Sequence, residues 1–195
     1  MGWLAALALW SGASAFTARH GRLTVTYADP RDRGQLGAVF RAFDAAVADL
    51  RGLGVSVPAS VRVVAASGAA DFAARTGEPA GIAASTLGST IRTQRLSALA
   101  ARGLLPVTIR HETFHTAQPK GIERWRAEGL ARTFSGEAAR DPGGPTGLEA
   151  LSEPELDAAL QDRNPARLSA AYREASRRVA RLLRTRSWGA VMQGH

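Results

Sequence analysis

Two histidines and a glutamate near the middle of the chain have the types and the spacing that metal-dependent hydrolysis requires. Residues 111 to 115 read His-Glu-Thr-Phe-His. Side chains four positions apart on an α-helix lie one above the other, with Cβ atoms about 6 Å apart, so His111 and His115 can bind the same ion. Imidazole nitrogens bind zinc at about 2.0–2.1 Å. Glu112, one step round the helix, misses the ion and can act as general base toward a water held by it.

A catalytic zinc site usually has three protein ligands and one open position, so a third ligand is expected after the motif. The two remaining histidines lie near the ends of the chain. The candidates are therefore the glutamates that follow the motif: Glu123, Glu128 and Glu137. Glu128 is favoured, because a helix predicted over residues 122–134 turns it back toward the first helix, and Gly129 lets the two helices approach closely. Glu123 is predicted to lie on a different, solvated face. The alternative interpretation is structural, with the histidines and the motif's glutamate satisfied by neighbours inside packed helices.

The composition limits the kind of metal site and the kind of partner. No cysteine is present, so disulfides and thiolate sites are excluded, and any metal must be held by His, Asp or Glu. The formal net charge is +8, almost all of it from arginine, with Lys120 the one lysine. Such a charge fits an anionic partner, such as nucleic acid, lipid head groups or cell-wall polymer, or else a genome whose codons favour arginine. The arginines are spread along the chain without interleaved aromatic residues, so the sequence does not favour a nucleic-acid partner.

The first fifteen residues resemble an export signal. Residues 2–10 form an uncharged apolar run, and the small residues Ala13, Ser14 and Ala15 follow it. This pattern predicts a signal peptide over residues 1–15, a mature chain beginning near Phe16, and a periplasmic or extracellular location. The run is too short for a stable membrane span. A wrongly assigned start or a simple hydrophobic strand is the alternative, since no basic residue precedes the run.

Hydrophobic periodicity predicts strands in the first half of the chain and helices in the second. Strands are predicted at 22–28 and 61–65, and residues 81–93, with a central glycine, predict a hairpin or an irregular edge strand. Helices are predicted at 36–50, 71–75, 96–101, 106–117, 122–134, 153–160 and 166–183. Strands first and helices last indicate an α+β fold. A Gly- and Pro-rich loop at 140–147 separates a predicted catalytic domain, 16–147, from a helical C-terminal part of the same domain, 148–195.

The motif and the segment after it resemble a known family. His111–His115 followed by Trp-Arg-Ala-Glu-Gly-Leu-Ala at 125–131 is similar to the peptidase-MA-like gluzincins, whose pattern is HExxH, a short spacer and W-x-x-E-G-L-A. The resemblance extends loosely over residues 80–185 and includes a late Tyr-x-x-x-Ser. It implies a zinc ion (Zn2+) held by His111, His115 and Glu128, with Glu112 as the base.

The same resemblance implies a fold and a mode of substrate binding. A zincin-like arrangement is expected, with a small twisted sheet, an active-site helix beneath it and a helical C-terminal part. The strand near Ile91 is expected to line the cleft and to hold an extended peptide by strand addition. The chain departs from many family members at Thr133, where they carry a tyrosine.

A zinc peptidase also needs a donor for the oxyanion that forms when water attacks a carbonyl. The tyrosines are Tyr27 and Tyr172, and the resemblance favours Tyr172. A packed or surface tyrosine is the alternative interpretation, and Arg126 and Arg132 are alternative donors. Trp125 is predicted to serve packing rather than substrate contact.

The sequence therefore predicts a zinc metallopeptidase that acts on a peptide or protein substrate. Analogy with family members that act beside cell-wall modules adds cell-wall peptide as a candidate. The alternative is a non-catalytic, zinc-containing module that binds cell-wall polymer or another anionic polymer through its basic surface.

Overall fold

The computed structural model describes residues 15–194 of the chain. The strands are β1 (Phe16–His20), β2 (Leu23–Tyr27), β3 (Val61–Ala65), β4 (Ala84–Leu87) and β5 (Thr90–Thr93). The α-helices are α1 (Leu36–Gly52), α2 (Ala69–Thr76), α3 (Leu96–Ala101), α4 (Leu105–Thr116), α5 (Arg124–Ser135), α6 (Glu153–Ala159), α7 (Pro165–Leu182) and α8 (Trp188–Gln193). The predicted export segment lies outside the described residues, apart from its last residue.

The five strands form one mixed sheet in the order β1-β2-β3-β5-β4. The central pairs β2/β3 and β3/β5 are parallel, and the outer pairs β1/β2 and β4/β5 are antiparallel. With the helices that follow the sheet, this confirms the predicted α+β class. No helix among residues 15–194 has the length and the apolar character needed to cross a membrane.

Residues 81–93 form the hairpin β4–β5, but the strand at its outer edge is not the one expected. Ile91 lies in β5, between β3 and β4, and is fully buried in the sheet core. The expectation that the strand near Ile91 lines the cleft is therefore wrong. The edge strand is β4, because the chain reverses at Gly88, where φ is +58°, and β5 rather than β4 pairs with β3.

Strand β1 was not predicted from the sequence. It pairs with β2 as an antiparallel hairpin, yet its residues are mostly exposed on both faces. A strand with no buried face has no alternation of apolar and polar residues, so periodicity does not reveal it.

Helix α4 lies between two hydrophobic cores. Leu105 and Ile109 pack into the core formed by the sheet and α1, whereas Phe114 packs into the core formed by α5 to α8. Nine of the twelve residues of α4 are buried. A helix surrounded by protein in this way holds its polar side chains in fixed positions.

Helix α5 packs closely against α7. A Cβ atom added to Gly129 would lie 2.5 Å from the carbonyl oxygen of Ala175 and 2.6 Å from Cγ2 of Val179. Gly129 therefore permits close approach to α7, and not to α4 as expected from the sequence. This contact fixes α7, which carries Tyr172, relative to the neighbouring Glu128.

Candidate metal centre

Three ligand atoms converge between α4 and α5. Nε2 of His111 lies 3.0 Å from Nε2 of His115, as their spacing of one helical turn requires. Oε2 of Glu128, on α5, lies 3.4 Å from the first nitrogen and 3.5 Å from the second. Among the described residues, these three form the one group of histidine, cysteine or carboxylate side chains close enough to hold an ion. We call them the triad.

The size of the triad fits zinc. Ligand atoms of a tetrahedral ion with bonds of about 2.0–2.1 Å are roughly 3.3 Å apart, and the three observed separations are 3.0, 3.4 and 3.5 Å. Two nitrogens and one carboxylate oxygen are a donor set that zinc prefers, and three protein ligands leave a fourth position open. The side chains of the triad are 11–15% exposed, so they are held by the surrounding protein and still reach the cleft.

Each histidine of the triad also has a polar neighbour at Nδ1, its second ring nitrogen. The side-chain oxygen of Gln118 lies 2.6 Å from Nδ1 of His115, and its amide nitrogen donates to the carbonyl of Ala127 at 2.8 Å. Nδ1 must therefore carry a proton, so that in the neutral form of His115 the lone pair is on Nε2. Oε1 of Glu137 lies 3.1 Å from Nδ1 of His111, within ion-pair distance although not aligned for a hydrogen bond.

The electrostatics of the triad fit a bound cation. Burial by itself lowers the pKa of His111, but Glu128 and Glu137 outweigh it, and the net pKa is well above its usual value. The pKa of His115 is also raised, since the charge of Glu128 outweighs burial. Burial alone would raise the pKa of Glu128, but the two histidines hold it well below its usual value. The carboxylates therefore favour positive charge at this point.

Glu112 lies beside the triad and is held by the edge strand. The hydroxyl of Thr86, on β4, donates to Oε2 of Glu112 at 2.7 Å and also lies 3.3 Å from its backbone carbonyl. The other carboxylate oxygen, Oε1, has no hydrogen-bond partner among the described residues. Glu112 therefore has one oxygen fixed by the protein and one oxygen free to accept a proton.

The triad and Glu112 open into a cleft of about 1190 Å³. One wall is β4 with the loop before it, and the other is formed by the turn after α4, the first turns of α5 and the loop between α6 and α7. The turn after α4 follows Pro119 and reverses at Gly121, where φ is +80°.

Tyr172 lies in the same cleft, on α7. Burial and the charge of Glu128 raise the pKa of its hydroxyl, against the opposing charge of Arg124. The hydroxyl therefore keeps its proton and can act as a donor.

The alternative donors are less well placed. Arg132 is occupied by Glu137 at 3.2 Å, by Asp141 at 2.5 Å and by Ser176 at 3.1 Å. Arg126 pairs with Glu123 at 2.9 Å and does not line the cleft.

The comparisons with known proteins add no family. Neither the protein-family models nor the curated proteins gave a match to this chain. The gluzincin resemblance therefore rests on the residues of the two motifs.

The structure also places the other residues considered from the sequence. Glu123 is 46% exposed, and Glu137 lies behind His111 rather than beside its Nε2. Trp125 is 2% exposed in the helical core, in agreement with a packing role. Sequence patterns did not reveal Thr86, Gln118 and Arg124. These residues lie outside the motifs, and no spacing marks them as part of a site.

Proposed function

We propose that the protein is a zinc-dependent metallopeptidase of the gluzincin type. The observation that carries this proposal is the convergence of the triad in an open cleft, with the carboxylate of Glu112 beside it and one of its oxygens free. A purely structural role for these side chains would not require two imidazole Nε2 atoms and a carboxylate to face one another at ligand distances.

The triad would hold the ion, and zinc bound there would polarise a carbonyl and lower the pKa of its water toward about 7. Glu112 would take the proton of the attacking water on Oε1 and pass it to the leaving amine. Thr86 would keep this carboxylate in place, and Tyr172 would donate to the oxyanion.

The substrate would be a peptide or an unfolded protein segment bound in extended form. Among residues 15–194, no strand pairs with the outer edge of β4, so its backbone groups can hydrogen-bond to a peptide. Since the N-terminal segment predicts export, cell-wall peptides belong in the substrate screen beside general peptide libraries.

The decisive experiment joins metal analysis with one substitution. The full chain should bind about one zinc ion, as one triad predicts, and Glu112→Gln should retain it. Peptide hydrolysis should fall about 10²–10⁴-fold in Glu112→Gln, the usual contribution of a general base. Glu123→Gln is the matched control, because it removes one exposed carboxylate outside the triad, and it should leave hydrolysis unchanged.

Three results would count against the proposal. Absence of zinc after growth with added metal would contradict the proposed metal centre. Equal hydrolysis by the wild type and Glu112→Gln would contradict the role of Glu112 as general base. Tight zinc binding without cleavage of any peptide would favour the alternative, a non-catalytic module whose basic surface binds an anionic polymer.

A further inference from the structure

Two cationic side chains in the cleft have no acidic partner. Lys120 and Arg124 both line the wall opposite β4. Neither side chain has a carboxylate within ion-pair distance among residues 15–194. Arg124 precedes Glu128 by one helical turn, so its side chain starts about 6 Å from that of a triad member. It is also close enough to Tyr172 to influence the pKa of the tyrosine hydroxyl.

The other charges on this wall are already balanced. Arg132, one turn after Glu128, is bound by Glu137 and Asp141. Asp162 pairs with Arg167 at 3.1 Å. Among the described residues, Lys120 and Arg124 are therefore left without an ion-pair partner.

Asp157 lies at the start of α5 but does not neutralise Arg124. Asp157, on α6, accepts from the backbone amides of Arg124 at 3.3 Å and Trp125 at 2.6 Å, and thereby caps the start of α5. Its carboxylate makes no ion pair with the guanidinium of Arg124. Glu78, which also lacks an ion pair among the described residues, belongs to the loop before β4, on the other wall.

Apolar side chains lie along the same wall as the two cations. Ile122 and Leu168, both partly buried, line this part of the cleft. A ligand that fits this wall has an apolar group to contact these side chains and an anionic group to reach the cations. A peptide provides both in one residue, either as an apolar C-terminal residue or as an apolar residue beside an aspartate or a glutamate.

We propose that Lys120 and Arg124 form a carboxylate-binding subsite, so that the preferred substrates carry a carboxylate next to an apolar side chain, close to the scissile bond. This rests on the proposed peptidase function and names its substrate class. Arg124 is the principal contact, because its planar guanidinium can donate two parallel hydrogen bonds to a carboxylate. Lys120 adds a second, more flexible charge.

Binding of small probes tests the subsite without any turnover. Three probes are titrated into the metal-free full chain and followed by NMR: N-acetyl-leucine, N-acetyl-leucinamide, and N-acetyl-glutamate α-amide. The first has a terminal carboxylate, the second has none, and the third has only a side-chain carboxylate. Arg124→Gln should weaken binding of at least one carboxylate probe about tenfold, the lower range for a charged hydrogen bond because Arg124 is exposed. The amide probe should bind weakly to both proteins.

Arg102→Gln is the control, because Arg102 is exposed, lies outside the cleft and changes the net charge equally. A loss confined to N-acetyl-leucine assigns the subsite to a C-terminal carboxylate, and a loss confined to the glutamate probe assigns it to an acidic side chain. Equal binding of all three probes, or equal losses in Arg124→Gln and Arg102→Gln, would overturn the proposal.

Hydrolysis provides the second arm. Peptides that end in a free acid, in an amide, or in an amide after an internal glutamate are compared as substrates. Arg124→Gln should raise KM for the carboxylate peptides more than for the amide peptide, while zinc content stays near the wild-type value. If the probes bind through Arg124 but Glu112→Gln does not reduce hydrolysis, the proposed mechanism fails and the subsite stands. If Glu112 is essential but Arg124→Gln matches the wild type with every peptide, the subsite fails alone.

Discussion

Glu112 owes its position to a hydroxyl on another element. Its Oε2 accepts from Thr86 at 2.7 Å, so a residue of the edge strand holds the carboxylate of the helix. A base that is free to rotate would spend less time in the geometry for proton transfer, and displacements near 1 Å can cost up to about 100-fold in rate. The strand that would bind the peptide would thus also orient the base.

Replacement of Thr86 tests this contact. Thr86→Val keeps the shape of the side chain and removes the hydroxyl, so kcat should fall about tenfold, within the range that mispositioning produces. Zinc affinity should not change, because the hydroxyl of Thr86 hydrogen-bonds to Glu112 and to no member of the triad. Steady-state kinetics with a cleaved peptide gives the measurement.

Thr86→Ser is the matched variant, since it retains the hydroxyl and loses only a methyl group. It should keep most of the wild-type kcat. If valine and serine at position 86 give the same rate, the hydrogen bond to Glu112 does not position the base.

The three candidate glutamates should differ in their effect on zinc affinity. Glu128→Gln should weaken zinc binding by more than about 100-fold, because it removes the charge of the proposed third ligand. Glu137→Gln should weaken it about 10- to 100-fold, the usual effect of an outer partner of a ligating histidine. Glu123→Gln should have no effect, since this exposed side chain pairs with Arg126.

Competition with a coloured zinc chelator measures the three affinities under one set of conditions. A stronger effect of Glu137→Gln than of Glu128→Gln would mean that Glu137 moves to the ion and that the observed arrangement is not the one that binds it.

At the scale of elements, α4 and α5 hold the triad because both are fixed by contacts on several sides. Helix α4 is enclosed by two cores, and α5 is fixed against α7 at Gly129. Ligand positions therefore depend on the packing of helices as well as on the ligands themselves.

Gly129→Ala should disturb both stability and the metal site. The added methyl group would lie 2.5 Å from a backbone carbonyl of α7, which cannot move without shifting the helix. We expect a loss of about 1–3 kcal/mol in the free energy of unfolding, as for other overpacked cores. Zinc affinity should fall as well, since Glu128 is the neighbouring residue. Urea denaturation of the metal-free protein measures the first effect.

Gly189→Ala is the control, because Gly189 also lies in a helix and a Cβ atom there would meet nothing within 4 Å. Its stability should stay the same or rise by up to about 1 kcal/mol, the helical preference for alanine over glycine. Equal stability of the two variants would show that α5 and α7 can separate at low cost.

At the scale of the whole molecule, the sheet begins at the residue where the mature chain is predicted to begin. Strand β1 starts at Phe16, so cleavage after Ala15 would leave every described strand and helix intact. Mass spectrometry of the protein from its native host should therefore find an N-terminus near Phe16. An intact Met1 in the soluble cytoplasmic fraction would contradict export.

The sequence by itself determined the local part of the site. His111 and His115 face the same point because helical geometry places residues four apart on one face, whatever the rest of the fold. Most helices and the strands β2 and β3 could also be predicted, since each buries one face and therefore has a regular apolar spacing. Glu128 followed from its motif and its position on the returning helix.

The tertiary structure alone decided what surrounds these residues. Thr86 lies 26 positions before Glu112, and Asp157 lies 32 positions after Trp125, whose amide it accepts. Contacts between residues so far apart in the sequence depend on how the helices and strands pack, and no local pattern of apolar and polar residues encodes them. For the same reason, the sequence could not show that β4 is the edge strand or that Gly129 faces α7. The residue types of the candidate ligands can be read from the local sequence, whereas their orientation and the shape of the cleft depend on long-range packing.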